Sequence, residues 1–345
     1  MPLWYNYGMA EPSTVIRKDN WGLLGHEWAV GMLTQHISRE AVRHAYLFTG
    51  PPGLGRRTLA LRFAQALNCT QPPALGQPCG ICRDCKQIEA MQHPDLSVVQ
   101  ADTEGSILKV DQVREVRRAL TLKPYQAKYR VALFLRFQEA SEGAANALLK
   151  TLEEAPGYVI LILTADNSEQ LLPTITSRCE LLRLRPLPVD AIEAYLQLHG
   201  AEGGQAHLIA HVANGRPGHA LRLLKDESVL EFRAERLADL EQLLASTRVQ
   251  KFNYAEKMAK DKEAMRQTLL VWLSYWRDVL LRVSGAKTSI ANIDQDETIT
   301  TLTKRLDLGM ARRMVQDLEL ALMRLERNVN ARLLAEVLFL DLPEV

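Results

Sequence analysis

Ala45-Tyr-Leu-Phe-Thr-Gly-Pro-Pro-Gly-Leu-Gly-Arg-Arg-Thr58 is the stretch from which the fold is read. Its first five residues suit a buried strand, its centre is a glycine-rich turn, and Leu59–Leu67 beyond it has helical periodicity. Strand, turn and helix start in that order form the context in which a P-loop cradles phosphates with backbone N–H groups. Gly50, Gly53 and Gly55 allow the tight backbone approach that this needs. The full pattern has Lys and then Ser or Thr directly after the last glycine, the lysine for the β and γ phosphates and the hydroxyl for magnesium. Here those positions hold Arg56 and Arg57, and Thr58 stands one residue late. A guanidinium is a wide planar fork and does not replace the compact lysine charge conservatively. It cannot bind a metal cation at all. The expectation is a loop that keeps its shape with no ligand, or that binds nucleotide without turnover; competent hydrolysis is the rival.

Further strands are expected at Asp95–Gln100, Arg130–Leu135, Tyr158–Thr164 and Glu180–Leu184, with helices at Val110–Leu120 and Glu142–Glu154. Strands alternating with helices imply a mostly parallel sheet covered on both faces. An ATPase of this layout ends its third strand with two acids, one for magnesium and one to activate water. This strand ends in Leu135 and Arg136, and Glu139 lies too far along to replace either acid. Beyond Pro186 and Pro188 the strand signals stop. Val189–Leu198, Ala206–Ala213 and His219–Leu224 read as short helices, and Lys262–Val283, Gly309–Asn328 and Ala331–Leu340 as longer ones. Ser284–Thr300 is a polar interruption, expected to be a mobile loop. The fold class is therefore α/β plus all-α. The expected division is an N-terminal extension at 1–20, a P-loop-like domain at 21–187, a small helical lid at 188–226 and a helical domain at 227–345.

The chain has 345 residues, with 42 basic against 41 acidic side chains and a net charge of +1. A global electrostatic hold on nucleic acid is not expected from that balance, since such domains carry a clear basic excess. No apolar run reaches the ~18–20 residues of a membrane span, and residues 1–20 lack a secretory apolar stretch. A cytoplasmic location is expected. Of the five cysteines, Cys69, Cys79, Cys82 and Cys85 fall within 17 residues. Two-residue gaps let successive thiolates converge on one ion, and four cysteines leave no position open for water. A structural zinc (Zn²⁺) is the leading reading; an iron–sulfur cluster and unligated or redox thiols are the alternatives. His93 nearby reads as a surface or packing histidine. Trp272 and Trp276, one turn apart, read as helix packing ahead of a base-stacking platform. Lys123, Lys128 and Arg130 suit either a solvated face or proximity to DNA.

His44-Ala-Tyr-Leu-Phe-Thr-Gly-Pro-Pro-Gly53, the four-cysteine insert, Asn146-Ala-Leu-Leu-Lys-Thr-Leu-Glu-Glu-Ala-Pro-Gly157 and Thr174-Ile-Thr-Ser-Arg-Cys-Glu-Leu-Leu-Arg-Leu-Arg-Pro-Leu187 resemble the bacterial clamp-loader AAA+ family of the DNA polymerase III holoenzyme. The resemblance spans about residues 21–187, thins in the lid and returns at Asn330–Leu338. Within that family the gamma/tau subunits keep an intact P-loop and acidic pair. Lacking both, this chain is similar to the delta-prime branch. The resemblance implies a RecA-like AAA+ domain with a zinc module, a lid, and a collar that assembles a five-membered ring. It implies gamma/tau and delta subunits as partners, with the sliding clamp and primed DNA met through the complex. ATP is then expected to be unbound or not hydrolysed here. The family also gives Arg178, in Ser177-Arg178-Cys179, the role of a finger entering a neighbour's ATP site; by itself the residue reads as a local salt bridge. Cys179 reads as a buried small residue near a strand start. No sensor role passes to Arg216, and Thr164, matching the polar residue that senses the γ-phosphate, reads as a relic. The alternative within the family is an active ATPase of gamma/tau type.

Overall fold

The computed structural model describes residues 20–103, 105–326 and 329–343. The N-terminal extension, but for Asn20, lies outside the described residues. In chain order the α/β part contains α1 (Glu27–Ser38), β1 (Ala45–Thr49), α2 (Arg56–Asn68), α3 (Arg83–Glu89), β2 (Leu96–Val99), α4 (Val110–Leu120), β3 (Arg130–Phe134), α5 (Glu142–Glu153), β4 (Val159–Ala165), α6 (Pro173–Thr176) and β5 (Glu180–Arg183). The five strands are parallel, in the order β2-β3-β4-β1-β5. Every residue of β1 and β4 is buried, as expected for central parallel strands covered on both faces. Alternation divides the core in two. Tyr46 and Phe48 pack with Leu59 and Phe63 of α2 on one face, while Ala45 and Leu47 pack with Phe134, Leu148 and Leu152 on the other. The sheet order places the C-terminal ends of β3, β4 and β1 side by side. The glycine loop, Leu135–Arg136 and Thr164–Asp166 therefore share one edge.

The remaining elements are α7 (Val189–Leu198), α8 (Gly203–Ala213), α9 (Pro217–Lys225), α10 (Glu227–Leu244), α11 (Arg248–Met258), α12 (Lys262–Val283), α13 (Asp296–Thr303), α14 (Leu308–Glu326) and α15 (Ala331–Leu340). Two compact units result, one of Met1–His199 with Gly215–His219 and one of Gly200–Asn214 with Ala220–Val345. α7 thus groups with the sheet and α8 with the helical unit. No helix among the described residues is long and apolar enough to cross a membrane. Trp272 and Trp276 are fully buried in the helical core, with Trp272 Nε1 donating to the Arg236 carbonyl at 2.7 Å. That burial leaves neither ring a face for a base.

Ser284–Thr300 is not an open polar loop. Ile290, Ala291 and Asn292 are buried, and α13 begins within the segment at Asp296. Its polarity is turned inward. Asp278 of α12 accepts the N–H groups of Ala291 and Asn292 at 3.1 and 2.7 Å. Arg233 of α10 forks onto both oxygens of Asp294, each at 2.8 Å, and onto Asn292 Oδ1 at 2.7 Å. Burial opposes the Asp294 charge, but the Arg233 bonds and charge outweigh it and hold the carboxyl below the usual range. Removing one partner of a buried pair leaves the other uncompensated. Arg233→Ala should therefore lower stability of the helical unit by about 3 kcal/mol, and Arg233→Lys, lacking the fork, should not restore it. Denaturant midpoints check this. Because the folded pKa is depressed, the Asp294 contribution is present above the ordinary aspartate value of ~3.9 and is lost as pH falls through the lower folded one.

Candidate functional site

The glycine loop has the shape its sequence requires. Gly50, Gly53 and Gly55 all have positive φ, at 141°, 88° and 93°. A Cβ on Gly50 would lie 2.8 Å from the Leu184 carbonyl oxygen, so only glycine fits. The Gly50 N–H donates to the Asp166 carbonyl at 3.1 Å, and the Gly53 carbonyl accepts the Gly218 N–H at 2.8 Å. His26, buried, has its pKa lowered by desolvation. Its neutral ring can donate from Nε2 to the Leu54 carbonyl, 3.0 Å away.

Inside this cradle the chain supplies its own counter-charge. Arg56, at the lysine position, is buried, and its Nη2 lies 2.6 Å from Asp166 Oδ1. The approach is a close ion pair outside hydrogen-bond directions, and Arg56 Nη1 is buried without a partner. Arg57 turns away, with Nη2 3.1 Å from the Met91 sulfur, and Thr58 is exposed. The sequence reading missed Asp166. Its signal was a carboxylate directly after β4, the strand beside β1.

At the end of β3, Leu135 is buried and Arg136 takes a left-handed conformation at φ 50°. The Arg136 N–H donates to Thr164 Oγ1 at 3.0 Å. Thr164 is thus engaged in joining two strand ends. Arg136 Nε donates to Glu139 Oε1 at 2.9 Å, and that oxygen also accepts the Gly105 N–H at 2.9 Å. Glu139 is tied to the strand end without standing in for an acid at 135 or 136.

The four cysteines converge. All are free thiols, and their sulfurs lie within 4.8 Å of one another. Cys79 Sγ and Cys85 Sγ are 3.9 Å apart, close to the ~3.8 Å that two ligands of a tetrahedral zinc with ~2.3 Å bonds adopt. Amide N–H groups of Cys79, Cys82 and Cys85 point at the sulfurs of Cys69, Cys79 and Cys82 at 3.3–3.4 Å. Burial pushes the Cys82 thiol up, but the Cys85 N–H and Thr70 outweigh it and bring it down to about 6. Burial raises the Cys85 thiol. A central cation would supply the positive charge that four packed thiolates need, so this donor set fits a soft divalent metal.

The cluster lies between the end of α2 and the start of α3. Cys69 follows α2, and Cys82 caps α3. Gln65 of α2 donates to the Cys85 carbonyl at 2.7 Å, Arg62 pairs with Glu89 at 2.8 Å, and Trp21 Nε1 reaches the Gly76 carbonyl at 3.0 Å. His93 is a buried packing residue outside the sulfur group, with Nδ1 accepting the Asp95 N–H at 3.0 Å. Arg130 is used internally: Nη1 donates to the carbonyls of Leu122 and Lys123 at 3.2 and 3.1 Å.

Arg178 follows α6 on the surface. Its Nη2 lies 2.6 Å from Glu153 Oε1 and its Nη1 donates to the Thr174 carbonyl at 2.9 Å. The two charged side chains are 35% and 48% exposed. Cys179 beside it is partly buried, and desolvation pushes its thiol up to about 12.

Residues 25–188 match the family described as DNA polymerase III, delta subunit, and residues 230–344 match its C-terminal family. The DNA polymerase III subunit delta' of Bacillus subtilis is 30% identical over 91% of this chain and 94% of that protein. The subunit delta' of Pseudomonas aeruginosa is 34% identical over 64% of this chain and 67% of its own length. The Bacillus subtilis subunit tau is 28% identical over 94% of this chain but 63% of that longer protein. Among solved structures, a gamma subunit-related protein of Thermotoga maritima aligns at a TM-score of 0.42, with 17% identity over 90% of this chain and 97% of its own.

Proposed function

The chain belongs to the DNA polymerase III delta-prime subunit family of clamp-loader AAA+ proteins, and on that premise we propose that it is a non-hydrolysing member whose chemistry is performed in a neighbouring subunit. The observation that carries this reading is the 2.6 Å pairing of Arg56 with Asp166. A triphosphate entering the loop would displace a carboxylate from the guanidinium and then face that carboxylate. It would also find Leu135 and Arg136 where magnesium and water need acids. The similarity to tau supports a shared fold, and the missing acids weigh against the active-ATPase alternative.

Arg178 would act in trans. A guanidinium is always charged and presents several N–H donors, so it can stabilise charge developing on the transferring phosphoryl group of a neighbour's ATP. Ser177 and Cys179 frame it on the short segment between α6 and β5. In this reading the chain sits in a five-membered ring with gamma/tau and delta subunits, in the cytoplasm, and helps load the sliding clamp onto primed DNA. A zinc ion held by Cys69, Cys79, Cys82 and Cys85 would be structural. The domain bounds 21–187, 188–226 and 227–345 form part of the same proposal. Phosphate release tests it. The isolated chain should release none from magnesium-ATP, and adding it to the ATPase and delta subunits should raise theirs; steady release by the chain alone would favour the active-ATPase reading.

A further inference from the structure

Glu153 ends α5, where the negative end of the helix dipole disfavours an acidic side chain. Its charge at that position opposes the dipole of the helix that carries it. Such a local conflict points to a use elsewhere, and the structure supplies one. Glu153 Oε1 takes a hydrogen bond from Arg178 Nη2 at 2.6 Å, while Nη1 of the same guanidinium donates to the Thr174 carbonyl at 2.9 Å. Two acceptors on different nitrogens fix the plane of the group as well as its place. These bonds engage two of its five N–H donors.

We propose that Glu153 is the positioning residue of the arginine finger, holding Arg178 in one exposed orientation before a neighbour's nucleotide arrives. The inference rests on the reading of Arg178 as a finger. An unrestrained arginine has four side-chain torsions, and ordering them in the transition state adds to the barrier; a guanidinium already ordered avoids that cost. The pair is half exposed, and pairs of that kind contribute little to stability. Positioning, not fold stability, is what Glu153 supplies. The requirement is for an oxygen acceptor at that point, and an amide oxygen meets it without the charge.

The test uses the complete clamp loader reconstituted with variants of this chain. Glu153→Ala should lower kcat for ATP hydrolysis about fivefold to tenfold, with KM for ATP and the melting temperature of the chain unchanged. Glu153→Gln should stay within about twofold of wild type, because it restores the acceptor. In an Arg178→Ala background, Glu153→Ala should add nothing, since there is no finger left to hold. A wild-type kcat for Glu153→Ala, a Gln variant as slow as the Ala variant, or losses that multiply in the double variant would each overturn the positioning role. If Glu153→Ala is silent while Arg178→Ala is slow, the finger stands and only Glu153 is misassigned. If Arg178→Ala is itself silent, the finger reading fails and Glu153 falls with it.

Discussion

Replacing Arg178 with alanine should lower ATP hydrolysis by the reconstituted clamp loader at least tenfold while leaving this chain folded. Fingers supplied in trans contribute about 10³–10⁵ in rate in related phosphoryl-transfer systems, so tenfold, or about 1.4 kcal/mol of barrier, is a lower bound. The folding half of the expectation comes from exposure. The Arg178–Glu153 pair is open to solvent on both sides, and exposed ion pairs contribute ~0–1 kcal/mol. Arg178 also donates to the Thr174 carbonyl of a short surface helix, which still has the Ser177 hydroxyl at 3.3 Å and water when the side chain is gone. Activity and stability should therefore separate cleanly. Arg178→Lys should recover little, because an ammonium cannot use Glu153 and the Thr174 carbonyl together in the planar geometry of the fork. Equal rates for wild type and Arg178→Ala would remove the finger assignment.

The second large effect concerns the cysteines. Metal analysis should return one zinc per chain, and Cys85→Ser should lose it. Structural zinc contributes on the order of 10–16 kcal/mol in small modules that fold around it. Here part of that is local, because α2 and the sheet have their own core. The loss should thus appear as release of residues 69–89 together with a lower midpoint for the whole α/β unit. The local reporter is at hand. Trp21 is buried, stacks on Phe63 and donates to the Gly76 carbonyl in the cysteine loop. Loosening that loop should raise amide hydrogen exchange across 69–89 and shift tryptophan emission to the red. Iron in place of zinc, or a metal-free chain with unchanged exchange, would contradict the assignment.

Much of the sheet was legible because central parallel strands read as continuous apolar runs. Ala45–Thr49 lies where the residues place it and Val159–Ala165 is displaced by one position, while the edge strand Glu180–Arg183, less apolar and only partly buried, ends one residue earlier than expected. Helix α1 went unread. It buries only Ala29, Val30 and Leu33 and starts from a left-handed His26, so neither its periodicity nor its cap is strong. Ser284–Thr300 misled for a different reason. Polarity normally marks solvent, but here Asn292 and Asp294 face Asp278 and Arg233, partners 14 to 61 residues away in sequence. Long-range pairing of that kind has no local signature. The same holds at the loop. The loss of lysine, hydroxyl and acids was visible in the sequence, whereas the carboxylate that answers Arg56 comes from the neighbouring strand, and only the sheet order brings Asp166 within reach. Glu153 lies within the Asn146–Gly157 motif, yet its pairing with Arg178 depends on how α5 and α6 meet.

Steady-state phosphate release, measured on the chain alone and on the ring assembled with wild type or Arg178→Ala at equal subunit concentrations, tests most directly whether the chemistry is exported. The account predicts background release from the chain alone, full activity in the wild-type ring and at least a tenfold deficit with the variant. Turnover by the solitary chain, or a variant ring as fast as wild type, would contradict it.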